Sequence, residues 1–374
     1  MKVLILTSWY PNSSSPVKGI FVKNHAHAIR SADVDVRLLA LVVNPSKKWF
    51  SIKKSRFADE VGMITYLIEI NSRLSDFIHW SIFYQYRLIK KYYLKHIEPE
   101  FKPDIIHSNV IYPAAVMGHW LADKIGSKHV VTEHWSKVDK FMHRPYFSKL
   151  GLSAYNQADA ITTVSAFLRA KVVKYLRDPQ KMTVIPNVVN LDLFNNTPAR
   201  DHGSLDLSFI CVATWSPPKR PDLIFHALEK VAGTIDRHIV LNVVGEGPLL
   251  NELKPQKWSF KINYPGYISQ KELVSELARS DYFLHASDLE TFSIVVAEAH
   301  AAGLPVLASD IAAIPELINP SNGIVCPNTV EAWTDALQKM IARNYDQVEI
   351  RSSALKFNKK DIGKAFINLY NRLI

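Results

Sequence analysis

KVLILTSWYPNSSSPVKGIFVKNHAHAIRSADVDVRLLALVV, residues 2–43, has the order of a strand, a loop, a helix and a second strand. Residues 2–6 form a continuous apolar run, which is typical of a parallel strand that is covered on both faces. A helix is predicted over residues 20–31, and a second apolar run begins at Val36. Two such strands joined by a helix make a parallel βαβ unit, so the chain is predicted to open with α/β structure.

The same alternation continues along the chain, stops once and begins again. In the first half, strand-like apolar runs lie at residues 104–107, 129–135 and 159–165. The polar, proline-containing segment NNTPARDHGS at 195–204 follows, and we place a domain boundary near 193–204. Beyond it, predicted strands lie at 207–214, 260–268 and 281–287, a strand running into a glycine-containing turn is predicted over 238–249, and helices are predicted at 221–231 and 271–280. We therefore predict two doubly wound, Rossmann-like α/β domains, which the length of 374 residues also suggests.

The composition is typical of a globular protein, with 48% hydrophobic and 21% charged residues. Cys211 and Cys326 have apolar neighbours, and we expect buried, reduced thiols without a zinc site. The apolar run at the N-terminus is too short for a signal peptide, and no run approaches the roughly 18 apolar residues of a membrane span. A cytoplasmic location is therefore expected.

The charge is distributed unevenly between the two halves. Residues 1–195 hold 27 basic and 15 acidic side chains, a net charge of +12, whereas residues 196–374 hold 18 and 20, a net charge of −2. A basic half favours an anionic partner, such as nucleic acid, a phosphorylated substrate or acidic lipid. The sequence has no signature of a nucleic-acid-binding domain, so we expect no nucleic-acid partner.

A second informative stretch, SDLETFSIVVAEAHAAGLPVLAS at residues 287–309, holds Glu290 and Glu298, eight residues apart. Thr291 is the predicted N-cap of a helix whose first N–H groups are free, and a phosphate or sugar oxygen binds well at that end. Glu290, in the preceding loop, can accept hydrogen bonds from sugar hydroxyls. Glu298, about 12 Å further along the helix, can hold a ribose diol. A nucleotide sugar contains these groups in this order.

The alternative is that Glu290 only interacts favourably with the helix dipole and that Glu298 lies on a solvated face. The neighbours of Glu298 are apolar: Val295, Val296, Ala297 and Ala299. They argue against a solvated face, because a half-buried acid needs a partner.

The E-x7-E pattern that ends in E-A-x-A-x-G-x-P-V resembles the signature of the retaining GT-B glycosyltransferases of family 4, also described as glycosyl transferases group 1. Further stretches resemble landmarks of the same family: SSSPVKGIFVKNHAHAI with Gly19, TEHW with His134, ADAITTVS with Ser165, VIPNVVNLDLF at 184–194, VVGEGPL and SDYFLHAS. The resemblance covers essentially the whole chain. It implies the GT-B fold, in which two Rossmann-like domains face each other across a cleft. The implied parts are an acceptor-binding domain at 1–195, a donor-binding domain at 196–355 and a C-terminal helix at 356–374 that returns to the first domain.

The resemblance also implies roles for individual residues. Glu290 looks like the acid that holds donor-sugar hydroxyls, Glu298 like the one that holds the ribose, and Lys219 like the cation that neutralises the leaving diphosphate. Charge develops on phosphate oxygens as the donor bond breaks, so a fixed cation there stabilises the transition state. The backbone that looks like the cradle of the sugar and phosphate is that of Phe292, Ser293, Ile294 and Val295.

Other implied positions surround this core. His134 looks like the residue beside the donor sugar, and the backbone around Ile268 looks like the nucleobase contact. Gly19 would let its loop approach the diphosphate or the acceptor without a Cβ in the way. Arg220 is either a second positive charge for the diphosphate or a surface residue. His107 and Asn109 have two alternative roles: their side chains contact the acceptor, or they simply pack inside the domain.

The chain departs from the family pattern at four positions. Thr214 stands where an arginine often precedes the diphosphate lysine, and Val188 and Asn190 replace the glycine and aspartate of PNGVD. Ser293 stands where glycine is common, which could narrow the sugar pocket. A DxD pattern is present at residues 33–35, but turn chemistry before the second strand explains it, and we predict no required metal ion.

Residues 77–97 combine seven aromatic side chains with Arg87, Lys90, Lys91 and Lys95. Arg87, Lys91 and Lys95 recur every four residues and are predicted to share one helical face. Upstream, Trp49 and Phe50 are surrounded by further basic residues: Lys47, Lys48, Lys53, Lys54 and Arg56. This pattern fits an interfacial contact with anionic lipid, and equally a core helix with a solvated basic stripe.

The resulting hypothesis is a retaining, hexosyl- or N-acetylhexosaminyl-type glycosyltransferase. It would move a sugar from a UDP-, GDP- or ADP-sugar to a lipid-linked or saccharide acceptor in surface glycan biosynthesis, in the cytoplasm or at the inner face of the membrane. The alternatives are a polyanion-binding α/β protein, a nicotinamide-dependent oxidoreductase and a non-catalytic nucleotide-sugar-binding subunit. Against the oxidoreductase, Gly245 and Gly247 lack a third glycine at the required spacing.

Overall fold

The computed structural model describes residues 1–12, 15, 17–30, 34–47, 49–194 and 206–374. The chain forms two compact units, and we call Met1–Val188 with Lys359–Ile374 the first unit and Val189–Asn358 the second unit. The chain therefore passes from one unit to the other within the predicted family landmark at 184–194. The predicted linker segment at 195–204 lies outside the described residues.

The first unit is built on one sheet with parallel strands that are largely buried. Its described strands are Lys2–Thr7 (β1), Asp35–Pro45 (β2), Phe50–Ala58 (β3), Ile64–Ser72 (β4), Ile105–Asn109 (β5), Lys128–Glu133 (β6), Ala160–Thr163 (β7) and Met182–Val184 (β8). Their order is β3-β4-β2-β1-β5-β6-β7-β8. Neighbours pair in parallel, apart from the antiparallel pair of β3 and β4 at one edge. Every residue of β1 after Lys2 is buried, as its apolar run predicted.

The helices of the first unit connect these strands. They are Ile20–Arg30 (α1), Ser75–Trp80 (α2), Ile82–His96 (α3), Val116–Ile125 (α4), Val138–Met142 (α5), Pro145–Gln157 (α6) and Ala166–Val173 (α7), with short helical turns at Ile111–Ala115 and Pro179–Lys181. Local chemistry sets several ends. Ser165 caps α7 by accepting the N–H of Leu168 at 3.1 Å, and Gly126 ends α4 in the left-handed conformation.

The second unit has a parallel sheet of six described strands: Leu207–Val212 (β9), Ile239–Val244 (β10), Lys261–Gly266 (β11), Tyr282–His285 (β12), Val306–Ser309 (β13) and Gly323–Cys326 (β14). Its helices are Pro221–Ala232 (α8), Gln270–Arg279 (α9), Ile294–Ala301 (α10), Val330–Ile341 (α11) and Gln347–Ala354 (α12). Short turns lie at Leu191–Phe194, Pro248–Leu250, Ile314–Glu316 and Leu355–Phe357. The strand order β11-β10-β9-β12-β13-β14 reverses direction between β9 and β12. In sheets of this order, ligands bind at the carboxyl ends of the strands on either side of that switch point.

The last helix, Lys359–Tyr370 (α13), belongs to the first unit and packs against α1. A Cβ at Gly363 would lie 2.2 Å from the carbonyl oxygen of Ala28, so the two backbones approach closely there. Phe366 is fully buried, and the hydroxyl of Tyr370 lies 2.6 Å from Nδ1 of His107 at the centre of the sheet.

The α/β class and the two parallel sheets are confirmed, but two parts of the first unit differ from the sequence-based prediction. The hairpin of β3 and β4 was not predicted, because the basic side chains of β3 beside Trp49 and Phe50 resembled an interfacial segment more than an edge strand. The segment at 77–97 is not one helix, since α2 ends at Trp80 and α3 begins at Ile82.

Candidate active site

Two loops meet at the switch point of the second sheet. One follows β9 and carries Lys219, and the other follows β12. The N–H of Arg220 donates to the carbonyl of Ala286 at 3.1 Å, and the N–H of Asp288 donates to the carbonyl of Pro218 at 2.9 Å. These two backbone hydrogen bonds hold the loops side by side, which brings together residues 71 positions apart in the sequence.

Lys219, Glu290, His285 and Ser293 form one connected cluster at this point. Nζ of Lys219 forms an ion pair with Oε1 of Glu290, and Nε2 of His285 lies 3.1 Å from the same oxygen. Nε2 of His285 also lies 3.2 Å from Oγ of Ser293. Among the described residues, no donor contacts the second oxygen of Glu290, Oε2. One carboxylate oxygen is therefore engaged by the protein and the other is left for a ligand.

The charges of this cluster follow from burial and from its ion pair. Burial by itself raises the pKa of Glu290, but the positive charge of Lys219 and the hydrogen bond with His285 lower it to about 2. Burial and the nearby charge of Lys219 lower the pKa of His285, against the opposing effect of Glu290. At neutral pH Glu290 is thus a carboxylate, paired with Lys219, and His285 is a neutral imidazole.

The helix α10 begins later than the sequence predicted. Thr291 was the expected N-cap, but Ser293 precedes the helix with φ of +75° and Ile294 is its first residue. The prediction failed because Ser293 leaves the helical path and directs its hydroxyl to His285. The N–H of Ala297 makes the first helical bond, to the carbonyl of Ser293 at 3.4 Å. The helix therefore leaves the first-turn N–H groups of Ile294, Val295 and Val296 without a partner inside it.

Glu298 lies in the middle of α10 and is 8% exposed. Nε2 of Gln270 donates to its Oε1 at 3.4 Å, and burial raises its pKa to about 7. The apolar neighbours of Glu298 had predicted that it is not on a solvated face, and the structure agrees. A buried acid with one long hydrogen bond has room for further donors, such as the hydroxyls of a ribose.

The remaining predicted residues of the second unit flank this cluster. Phe292 is buried edge-on against Phe357, at a ring distance of 5.1 Å. Ile268 is half-buried between β11 and α9. The guanidinium of Arg220 lies 2.7 Å from Asp222 and 3.3 Å from Asp288, so its charge is partly balanced by two carboxylates.

The two glycines that suggested a dinucleotide-binding turn have a local explanation. A Cβ at Gly245 would lie 1.9 Å from the carbonyl oxygen of Ala213, and one at Gly247 would lie 2.2 Å from that of Trp215. The loop after β10 therefore packs directly on the loop after β9, and this close approach requires both glycines.

In the first unit, His107 and Asn109 lie on β5 and His134 directly follows β6. Nε2 of His134 lies 3.1 Å from Oδ1 of Asn109, and its ring packs against Phe21 at 4.5 Å. His107 is fully buried, and its two nitrogens lie 2.6 Å from hydroxyls of Tyr370 and Thr132. With no exposed surface and both nitrogens engaged, the structure favours packing over acceptor contact for His107. Asn109 is 2% exposed.

Sequence reasoning missed Glu133, a fully buried carboxylate beside His134. Oε1 of Glu133 accepts the backbone N–H groups of His134 and Trp135, at 2.9 and 2.7 Å. Its Oε2 accepts the N–H of Ile111 and the hydroxyl of Tyr155, at 2.8 and 2.7 Å. Glu133 therefore holds in place the loop that carries His134. His285 was missed in the same way: both residues lie at strand ends inside the quoted landmarks TEHW and SDYFLHAS, but their partners are distant in the sequence or belong to the backbone.

Gly19 precedes α1 with φ of +72°, and a Cβ there would lie 2.1 Å from the carbonyl oxygen of Trp9. This internal contact requires glycine whether or not a ligand approaches. Asp33 of the DxD pattern lies outside the described residues. Among the residues that the structure describes, there is no group of three or more His, Cys, Asp and Glu side chains suited to a metal ion. No described helix has the length and apolar character that crossing a bilayer would need.

The fold and this cluster define a two-unit α/β protein with a charged cluster at the switch point of a parallel sheet. The family model described as Glycosyltransferase Family 4 matches residues 19–193, and the one described as Glycosyl transferases group 1 matches residues 201–357. Together they cover nearly the whole chain, and the protein belongs to the group 1 glycosyltransferases of GT-B fold.

Individual relatives are distant. The N-acetyl-alpha-D-glucosaminyl L-malate synthase of Bacillus anthracis is 24% identical over segments that make up 60% of this chain and 61% of the relative. The GDP-mannose-dependent alpha-(1-6)-phosphatidylinositol monomannoside mannosyltransferase of Mycobacterium tuberculosis is 25% identical over 49% of this chain and 52% of the relative. The chain thus spans about half to three fifths of the length of these curated relatives.

The likeness in structure extends over the whole chain. The sucrose-phosphate synthase of Thermosynechococcus elongatus superposes with a TM-score of 0.70, covering 100% of this chain and 99% of the other at 17% identity. At this identity the comparison establishes the fold that the two proteins share.

Proposed function

We propose that this protein is a retaining glycosyltransferase that moves a sugar from a nucleotide-diphosphate donor to a hydroxyl acceptor. The observation that carries the proposal is the cluster of Lys219, Glu290 and His285 at the switch point of the second sheet, next to the free N–H groups that begin α10. Glu298 lies further along the same helix. A nucleotide sugar offers hydroxyls, phosphates and a ribose in the order in which these groups are arranged.

Each group then has a distinct role toward the donor. Glu290 is ionised, and its free oxygen accepts sugar hydroxyls. The donor phosphates compete with Glu290 for Lys219, and the N–H groups at the start of α10 add further donors to the phosphate oxygens. As the bond to the sugar breaks, negative charge grows on the leaving diphosphate, and Lys219 stabilises it. For retention we propose attack from the same face, with the leaving phosphate oxygen taking the proton of the acceptor hydroxyl.

Three further features of the donor site belong to the proposal. The base contacts the backbone around Ile268, the donor is a UDP-, GDP- or ADP-sugar, and no metal ion is required, because Lys219 and the start of α10 supply positive charge to the diphosphate. Arg220 adds to this charge only if the donor displaces Asp222 or Asp288. Gly19 and His134 are proposed to contact the donor as well.

The acceptor is proposed to be a lipid-linked or saccharide molecule that carries negative charge. The net charge of +12 over residues 1–195 supports an anionic partner for this half. Two relatives are named for anionic acceptors, L-malate and phosphatidylinositol monomannoside. A reaction in surface glycan synthesis, in the cytoplasm or at the inner face of the membrane, fits such an acceptor.

The test is a thermal-shift screen of the full chain against UDP, GDP, ADP and their common sugar conjugates. We expect a selective rise in melting temperature with one base, lost in Lys219→Ala and kept in Lys257→Ala, which removes an exposed lysine of the same unit. Glu290→Gln should keep measurable donor binding while losing donor hydrolysis and transfer. A shift without transfer or hydrolysis would indicate a protein that only binds the donor. No shift with any donor, together with steeply salt-dependent binding of polyanions, would contradict the proposal.

A further inference from the structure

Several large apolar side chains of the first unit are exposed where β3, β4 and α2 meet. Trp49 and Phe77 are each 71% exposed, and Leu74 is 49% exposed. Together with Phe50 and Tyr84 they line a groove of about 430 Å³. Contiguous apolar surface of this kind is uncommon on a soluble monomer and marks a surface that binds something.

A row of cations continues from this groove along α3. Tyr84 lines both the apolar groove and a neighbouring one of about 810 Å³, which is formed with Arg87, Lys90, Lys91, Leu94 and Lys95 among others. Arg87, Lys91 and Lys95 are all exposed on one face of α3, as their spacing predicted. Among the described residues, none of the four basic side chains forms an ion pair with an acid.

We propose that this surface docks the protein on a phospholipid bilayer with anionic headgroups. The docking surface consists of Trp49, Phe50, Leu74, Phe77, Tyr84, Arg87, Lys91 and Lys95. Its apolar end enters the boundary between headgroups and acyl chains, and its cations contact lipid phosphates. The charge is complementary, because residues 73–97 hold five basic side chains and one acidic one, Asp76.

A second copy of this chain fits the surface less well than a membrane does. Two copies that met through it would bring their cationic rows together, and like charges at an interface oppose association. The purpose of docking rests on the proposed function, because a protein docked on lipid would be close to a lipid-linked acceptor. The binding itself is measurable without any donor or acceptor.

The experiment is co-sedimentation of the full chain with vesicles of phosphatidylcholine alone or mixed with phosphatidylglycerol. Each basic side chain near an anionic leaflet contributes roughly five-fold in affinity, so R87Q/K91Q/K95Q should weaken binding to anionic vesicles about 100-fold. The control R169Q/K257Q/K339Q removes three exposed charges elsewhere and should weaken it less than about five-fold. W49S/F77S should weaken binding about ten-fold or more, with an unchanged melting temperature because both side chains are exposed.

Three outcomes would overturn the docking proposal. The first is that the wild type does not sediment with anionic vesicles. The second is that the control triple variant loses as much vesicle affinity as R87Q/K91Q/K95Q. The third is that the wild type does not bind vesicles but self-associates, and that W49S/F77S abolishes this self-association. Thermal shift with nucleotides on the same samples separates the two proposals. Donor binding without vesicle binding contradicts the docking surface alone, and vesicle binding without donor binding or transfer contradicts the proposed function alone.

Discussion

Ser293 has a backbone conformation that glycine adopts at little cost, with φ of +75°, and its hydroxyl is used by His285. We expect Ser293→Gly to relieve about 1 kcal/mol of backbone strain while losing a hydrogen bond worth about the same, for little net change in stability. Ser293→Ala keeps the strain and loses the bond, so it should be less stable than Ser293→Gly by about 1 kcal/mol. Urea unfolding of the two variants measures this difference. Equal stability of the two variants would contradict the backbone strain assigned to Ser293.

Glu298 is a second residue for which we make a prediction, namely how the stability of the protein depends on pH. Burial raises its pKa from an ordinary value of 4.5 to about 7, so the folded state resists ionisation. Stability should therefore fall as the pH rises from about 4.5 through 7, and Glu298→Gln, which remains neutral, should lack this loss. At pH 8 we expect the Gln variant to be more stable than the wild type by up to about 3 kcal/mol.

Thermal melting from pH 4 to pH 8 measures this difference. Hydroxyl donors of a bound ribose favour the ionised acid, so nucleotide affinity of the wild type should rise with pH over the same range and that of the variant should not. Parallel melting curves of the two proteins across the range would show that Glu298 titrates normally and has no such role.

At the scale of helices, Gly19 and Gly126 distinguish two reasons for a glycine, a left-handed backbone and a close backbone contact. Both have φ near +72°, but a Cβ at Gly19 would lie 2.1 Å from the carbonyl oxygen of Trp9, whereas nothing lies within 4 Å at Gly126. Gly126→Ala should cost about 1 kcal/mol of unfolding free energy, from the left-handed backbone alone. Gly19→Ala adds a backbone clash at the start of α1 and should cost at least about 2 kcal/mol more.

Chemical denaturation measures the stability of the two alanine variants and tests both predictions. The nucleotide-induced thermal shift is recorded on the same variants. A large loss in Gly19→Ala with the donor-induced shift retained would show that this glycine serves packing. Comparable stability of the two variants would contradict the close approach to Trp9.

For the whole molecule, α13 is the element that makes the first unit discontinuous in sequence. Its Gly363 contacts the backbone of α1, and Tyr370 bonds to the fully buried His107. Removing residues 359–374 should expose the apolar face of α1 and lower the melting temperature of the first unit, while the second unit keeps its transition. Removing only 371–374, in which Leu373 alone is half-buried against the core of the first unit, should lower that transition much less.

Calorimetry with and without a bound nucleotide assigns each transition, because the proposed contacts of the nucleotide with Lys219, Ile268 and Glu298 should stabilise mainly the second unit. If the shorter and longer truncations melted alike, α13 would contribute nothing to the first unit. Tyr370→Phe offers a milder change and should cost about 1–2 kcal/mol, since it leaves Nδ1 of His107 buried without a partner.

Much of this architecture is predictable from local patterns. Apolar runs such as that of β1 predict buried parallel strands, because covered strands need apolar residues on both faces. The spacing of Arg87, Lys91 and Lys95 predicts their common face, because a helix turns every 3.6 residues. The edge hairpin of β3 and β4 was not predicted, since its strands depend on pairing partners that the basic side chains of β3 do not reveal.

The amino-acid sequence by itself determined the α/β class, the restart of the pattern in a second half, the resemblance at Glu290 and Glu298 and the basic face of α3, since these depend on neighbours within a few residues. Tertiary structure alone decided that Lys219 and His285 share one oxygen of Glu290 and that Ser293 leaves the helical path. Those features depend on contacts between residues far apart in the chain. Burial and charge at such contacts set the pKa of a carboxylate, and no local pattern contains that information.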